Sequence, residues 1–231
     1  MEYKNNCLIC GEEVSYLNES MEMVCLYCKN KFTANIVCKN NHYVCDNCHS
    51  SPSNEVITKY CMAVDNANPI EIAQNLMKHP SIKMHGPEHH FMVPAILLAS
   101  YHNAIGDKVD LAERLAEAQK RAKNVLGGFC GYYGSCGAAM GVGIFISIVT
   151  GATPLSKEEW KITNLATAET LKEIALNGGP RCCKRNTFLA LSTAPLFVSK
   201  YLRVNMASAN HIKCDYFSMN RECISVECKF F

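Results

Sequence analysis

Eight metal-type ligands stand within the first fifty residues, and no other feature limits so tightly what this chain can fold into. Cys7 and Cys10 form one Cys-x-x-Cys pair, and Cys25 and Cys28 form a second. Cys38, His42, Cys45 and Cys48 follow with gaps of three, two and two residues. A two-residue gap lets a tight turn present both sulfurs to one ion, and two such turns close a tetrahedral shell around zinc. A segment this short and polar cannot bury enough apolar surface to fold alone, so coordination would have to stabilise it. The expectation is a small zinc-ribbon-like module over residues 1–50 holding two structural zinc ions. Consecutive pairing is favoured, with Cys7, Cys10, Cys25 and Cys28 on one ion and Cys38, His42, Cys45 and Cys48 on the other, because short loops cost little to close. Interleaved pairing is the alternative.

Composition narrows the class further. Fifteen cysteines in 231 residues suit either a disulfide scaffold or a reducing interior with metals. The first ten residues carry no basic stretch followed by an apolar run, and the cysteine count is odd, which predicts a cytoplasmic metalloprotein. Lys and Arg number 23 against 21 Asp and Glu, a net charge of +2, so nucleic acid is not indicated as a partner. Tyr27, Lys29, Lys31, Phe32, Lys39 and Tyr43 would let the module dock a protein partner. The longest apolar run, 138–150, falls short of the roughly 20 residues a membrane span needs, so no membrane association is expected.

Ser50, Ser51, Pro52 and Ser53 read as a linker. Beyond it the periodicity is helical, which predicts a mainly α core domain over 54–231. Helices are expected over 69–78 with Asn68 as cap, over 91–104 with Pro94 in the first turn, and over 110–126. Further helices are expected over 156–176 with Ser156 as cap, and over 182–202. The run 136–150 is apolar and carries Gly137, Gly141 and Gly143, which predicts close approach of a neighbouring backbone. Residues 205–231 read as irregular.

The core holds a second group of thiols. Cys130 and Cys136 bracket the loop Cys-Gly-Tyr-Tyr-Gly-Ser-Cys-Gly, and Cys182 and Cys183 follow Gly-Gly-Pro-Arg. Both pairs fall at expected helix starts, where unpaired N–H groups favour thiolate. Four thiols on two facing loops suit a [4Fe–4S] cluster, a dithiol–disulfide couple or a zinc site. Adjacent cysteines are awkward ligands for one small ion, since neighbouring side chains diverge. Cys214, Cys223 and Cys228 in the tail could complete that site or supply further thiols. Their gaps match no zinc knuckle. His85, Glu88, His89 and His90 lie within six residues beside a helix start and are candidate acid–base or metal-binding groups, expected to line the same pocket. Neighbouring thiolates would favour their imidazolium forms.

Two stretches, Met84-His-Gly-Pro-Glu-His-His-Phe-Met-Val-Pro-Ala and Gly127-Gly-Phe-Cys-Gly-Tyr-Tyr-Gly-Ser-Cys-Gly, resemble a domain-of-unknown-function family from anaerobic microbes. Gly178-Gly-Pro-Arg-Cys-Cys-Lys-Arg and the ending Asn220-Arg-Glu-Cys-x4-Cys fit the same family. Some of its members are labelled methyltransferases, yet no methyltransferase nucleotide-binding motif is present here. The four core cysteines also resemble the redox-active proteins named for a Cys…Gly-Cys-Ala-x-x-Gly…Cys…Cys pattern, with Ser135 and Gly137 as departures. Together these observations predict an iron–sulfur or thiol-redox protein of anaerobic metabolism, in sulfur or one-carbon chemistry. The other reading is a zinc-ribbon module that docks a protein or nucleic acid, carried on a non-catalytic helical scaffold. Whether the chain is an enzyme is left open by the sequence.

Overall fold

The computed structural model describes residues 7, 12–25, 30–208 and 211–231, with backbone alone for 47–51. Strands β1 (Val14–Val24) and β2 (Lys31–Cys38) form an antiparallel hairpin. Its register runs from Val24 opposite Lys31 to Val14 opposite Cys38, with a slip between Tyr16 and Met21 that bulges β1. The described core is helical: α1 (Asp46–Ala63), α2 (Pro69–Met77), α3 (Glu88–Ile105), α4 (Leu111–Ala122), the single turn α5 (Phe129–Tyr132), α6 (Gly137–Thr150), α7 (Glu158–Leu176) and α8 (Cys183–Leu202). Two 3-10 turns, Phe217–Met219 and Ser225–Glu227, punctuate the tail. The mainly α reading holds. Among the described residues no helix is long and apolar enough to cross a membrane.

The expected linker is not one. Residues 50–53 lie inside α1, which carries Pro52 in its interior, and Ser53 donates its hydroxyl to the Ser81 carbonyl. Composition suggested a break, but Ile57 and Cys61 are fully buried against α3 and hold the segment helical. Asn68 caps α2 as expected, accepting the Ile70 N–H at 3.1 Å. Ser156 does not cap α7. Its hydroxyl accepts the Thr153 N–H at 3.0 Å in the preceding turn, and α7 begins at Glu158.

Helix α3 is the axis of the core and packs against α1, α2, α4, α6 and α8. Every residue from Phe91 to Ser100 is buried, as for a helix surrounded on all sides. It starts at Glu88, so Pro94 falls in its interior rather than its first turn. The missing N–H leaves a backbone acceptor free and a flat ring on the surface. Helix α6 uses that flat place. A Cβ on Gly141 would lie 2.8 Å from Pro94 Cδ, and one on Gly137 would collide with the His90 ring. The glycines of α6 therefore permit the close approach that the sequence suggests.

Candidate functional site

The hairpin sets the ligand pairing at the front of the chain. Cys7, Cys38 and His42 bring their donor atoms within 4.8 Å of one another. His42 Nδ1 lies 3.7 Å from Cys7 Sγ and 3.9 Å from Cys38 Sγ. The Asn40 N–H also points at Cys38 Sγ, at 3.3 Å. Cys25 is associated elsewhere: its sulfur accepts the Cys45 N–H at 3.3 Å. The consecutive pairing is thereby corrected, because Cys7 joins Cys38 and His42 rather than Cys25. The reason is the eleven-residue strand β1, which separates Cys7 from Cys25 at roughly 3.3 Å per residue, and the antiparallel strand β2, which returns Cys38 to the Cys7 end. Cys10, Cys28 and the side chain of Cys48 lie outside the described residues. The Cys7, Cys38 and His42 donors could hold a metal ion.

The core cysteines do not form one group of four. Cys130 is exposed on α5, and Cys136 is the N-cap of α6. Cys182 is the N-cap of α8 and Cys183 its first residue. Cys182 lines a shallow cleft with Cys214, Cys223 and Cys228, walled by Met84, Phe188, Tyr216 and Phe230. Three of these sulfurs each accept a backbone N–H: Cys182 from Arg185 at 3.4 Å, Cys214 from Tyr216 at 3.3 Å, and Cys223 from Ser225 at 3.4 Å. The tail is tied back on itself by the Cys214 N–H to the Phe230 carbonyl, 2.7 Å, and Phe230 stacks edge-on against Phe188. Tail thiols that the sequence reads as accessory are thus the main partners of Cys182. Their irregular spacing hid this, since three non-local loops meet at one helix start.

Cys183 turns elsewhere. Its sulfur accepts the Gly86 N–H and interacts with Arg181, Cys136 and Glu88. Cys136 accepts the Asn186 amide at 3.4 Å and the N–H groups of Ala138 and Ala139, and also interacts with Cys130. Tyr16 of β1 reaches over this side, with the Arg181 guanidinium 5.1 Å from its ring centre.

The expectation that helix starts make these thiols ionise readily is reversed. Burial raises Cys136 and Cys182 and pushes Cys183 up to about 12, outweighing the N–H donors and nearby arginines. Burial likewise raises Cys214. A buried cation sits beside them. Lys184 is 1 % exposed, with Nζ 4.1 Å from the Tyr216 ring centre and 3.3 Å from the Met77 carbonyl. Burial lowers its pKa to about 8, while Glu88, Cys182 and Cys214 act to raise it.

The histidine loop divides in the same way. His89 is buried, with Nε2 3.0 Å from the Lys83 carbonyl and Nδ1 3.1 Å from Thr187 Oγ1. His90 Nδ1 donates to the Val125 carbonyl at 2.7 Å. These two rings tie the start of α3 to its neighbours and do not line the Cys182 cleft. The expected imidazolium forms are not favoured: burial lowers His85 and His90 and takes His89 to about 3. Glu88 is buried too, accepting the Lys83 N–H at 2.9 Å, and its pKa is raised by burial. Only His85 reaches the tail, with Nε2 2.9 Å from Glu222 Oε2 and 3.2 Å from Asn220 Oδ1.

The model of a family of unknown function (DUF5714) matches residues 57–231, from within α1 to the last residue. The chain belongs to this family. No curated protein and no solved structure matches it. The DUF5714 match contains every thiol of the Cys182 cleft and of the Cys183 side, and it leaves the hairpin outside. The candidate metal site of Cys7, Cys38 and His42 lies ahead of the matched residues, which form the cysteine-rich helical core.

Proposed function

We propose that this protein is an iron–sulfur protein whose cluster is held by Cys182, Cys214, Cys223 and Cys228, with structural zinc in its N-terminal module. The observation that carries the reading is the convergence of four thiols on one cleft, three of them receiving a backbone N–H. Such donors aimed at sulfur are what stabilise and tune a thiolate-bound cluster. A single zinc ion, with Zn–S near 2.3 Å, draws four sulfurs to about 3.8 Å apart. Among the described residues, only Cys7, Cys38 and His42 group three donors within 4.8 Å. The wider spacing of the four cleft thiols favours a polynuclear centre over one ion. Apolar walls and the buried Lys184 charge suit a centre that stores an anionic state away from water. The cluster, when bound, supplies one-electron transfer. The chain orients it through the α8 start, shields it beneath the tail and compensates its charge through Lys184. A chain with fifteen cysteines, many in metal-type spacing, fits a reducing, cytoplasmic setting.

Anaerobic purification of the full chain, followed by iron, sulfide and zinc analysis, tests the reading. About four irons with equal sulfide per chain are expected, with visible absorption bleached by dithionite. Both should vanish in Cys214→Ser and Cys228→Ser. Zinc without sulfide in the wild-type protein would overturn the assignment.

A further inference from the structure

Arg185 is 4 % exposed and stands in the first turn of α8, just beyond the Cys182 cap. Its backbone N–H goes to Cys182 Sγ at 3.4 Å. Its Nη2 donates to the Gly178 carbonyl at 2.6 Å and to the Pro180 carbonyl at 2.9 Å, which fixes the plane of the guanidinium. A long side chain on a helix leans back over the turn before its own Cα, so the stem of Arg185 runs past Cys182. Both residues are walls of the tail cleft, and the Arg185 charge acts on the Cys182 thiol. Within this tether Nε is buried and has no hydrogen-bond partner. Among the described residues, no other buried polar atom left without a partner belongs to a wall of that cleft. No ion pair of the described residues includes Arg185. Glu222, the carboxylate on the cleft wall, is held by His85 Nε2 at 2.9 Å.

A buried donor without an acceptor bears the full cost of its desolvation, and more so when the group is charged. A tethered guanidinium with one N–H to spare and no carboxylate therefore calls for an anionic acceptor inside the cleft. Neutral thiols do not supply that charge, and burial raises the pKa of both Cys182 and Cys214. A thiolate-bound cluster does supply it. We infer that Arg185 Nε–H donates to a sulfur of the cluster held by Cys182, Cys214, Cys223 and Cys228, and that this bond sets the reduction potential of the centre. This role rests on the cluster reading. Arg185 is a positioning residue and not a ligand. Reduction adds one electron, and so one negative charge, to the centre, with no bond of the protein formed or broken. A fixed donor at sulfur is worth more to the reduced state and raises the potential. Lys184 cannot take this part. Its Nζ faces the Met77 carbonyl at 3.3 Å, the Ile82 carbonyl at 3.5 Å and the Tyr216 ring at 4.1 Å, so its N–H groups are committed and it contributes charge alone.

The test uses the full chain, purified anaerobically, with iron and sulfide content, reduction potential and pulsed electron paramagnetic resonance of the dithionite-reduced protein as readouts. Arg185→Lys keeps the charge but has no Nε–H, whereas Arg185→Gln removes both. Both variants should retain iron and sulfide and be harder to reduce. The reduction equilibrium should weaken about tenfold in Arg185→Lys, which is about 59 mV for one electron, and further in Arg185→Gln. A residue that merely ties the 178–180 loop to α8 would lower the melting temperature and leave the potential where it was. Wild-type protein grown with arginine carrying the heavy nitrogen isotope should show a weak nitrogen coupling to the reduced centre, absent from Arg185→Lys. That measurement decides the matter even if both variants fail to assemble. An unchanged potential in Arg185→Lys, or no arginine nitrogen coupling in wild type, overturns the role of Arg185 and leaves the cluster standing. Absence of iron and sulfide from wild type overturns both.

Discussion

Cys182 and Cys183 are consecutive in the chain and belong to different groups of thiols. Cys182 lines the tail cleft with Cys214, Cys223 and Cys228, whereas Cys183 accepts the Gly86 N–H and meets Cys136. The split follows from position. Cys182 is the extended N-cap of α8 and Cys183 its first helical residue, so their side chains leave the backbone in divergent directions.

The tail should depend on the centre beneath it. Hydrogen exchange of residues 211–231 is expected to speed up when iron is removed from the anaerobic protein by a chelator. Helix α3 should keep its protection, since its burial is independent of the cleft. Identical exchange in the tail with and without iron would show that the Phe188–Phe230 contact alone holds it down.

The interleaved pairing at the front makes a counting prediction. Cys7→Ser and His42→Ala should each release the same zinc ion from the full chain, and the double variant should release no more than either. Cys7→Ser combined with Cys25→Ser should release two. If that last pair releases only one ion, the ligands pair consecutively after all.

Gly137 is predicted to be intolerant of a methyl group. Its Cβ would collide with the His90 ring, which cannot retreat while Nδ1 holds the Val125 carbonyl at 2.7 Å. Gly137→Ala should lose about 1–3 kcal/mol in denaturant unfolding, the usual range for overpacking. Adding His90→Ala should recover part of it. Wild-type stability in the single variant would mean that α6 can shift away from α3 freely.

His89 should make the helical core sensitive to acid. Its folded-state pKa lies near 3, below the ordinary 6.5, because burial favours the neutral ring. The unfolded chain therefore takes up the proton first. Stability present above about pH 6.5 is lost as pH falls toward 3, at up to about 1.4 kcal/mol per pH unit. His89→Gln can still donate to the Lys83 carbonyl without titrating, so its unfolding free energy should fall less steeply over that window. Parallel slopes for the two proteins would place the acid sensitivity elsewhere.

Much of this was legible in the amino-acid order. Apolar periodicity located α2, α3, α4, α7 and α8 to within a few residues, because each must bury one face or all of itself. Asn68 was recognisable as a cap, and the glycines of α6 as points of close approach, because both act over neighbouring residues or a single contact. Cysteine spacing marked Cys7, Cys38 and His42 as candidates, and their donor atoms do meet. The linker reading at 50–53 failed because Ile57 and Cys61 bury against α3, a contact that composition does not encode.

The sequence by itself determined where the metal-type donors stand along the chain and that the core would be helical, since those depend on residue type and local period. Only the tertiary structure decided which donors meet. The antiparallel return of β2 sent Cys7 to His42 and Cys38. The fold of residues 211–231 over α8 brought three distant thiols to Cys182. Packing of α3 against α6 and α8 locked His89 and His90 into structural hydrogen bonds and left His85 facing the tail. Ligand spacing is a local property, but partnership across fifty or more residues is fixed by how elements pack, and that information is spread over the whole core.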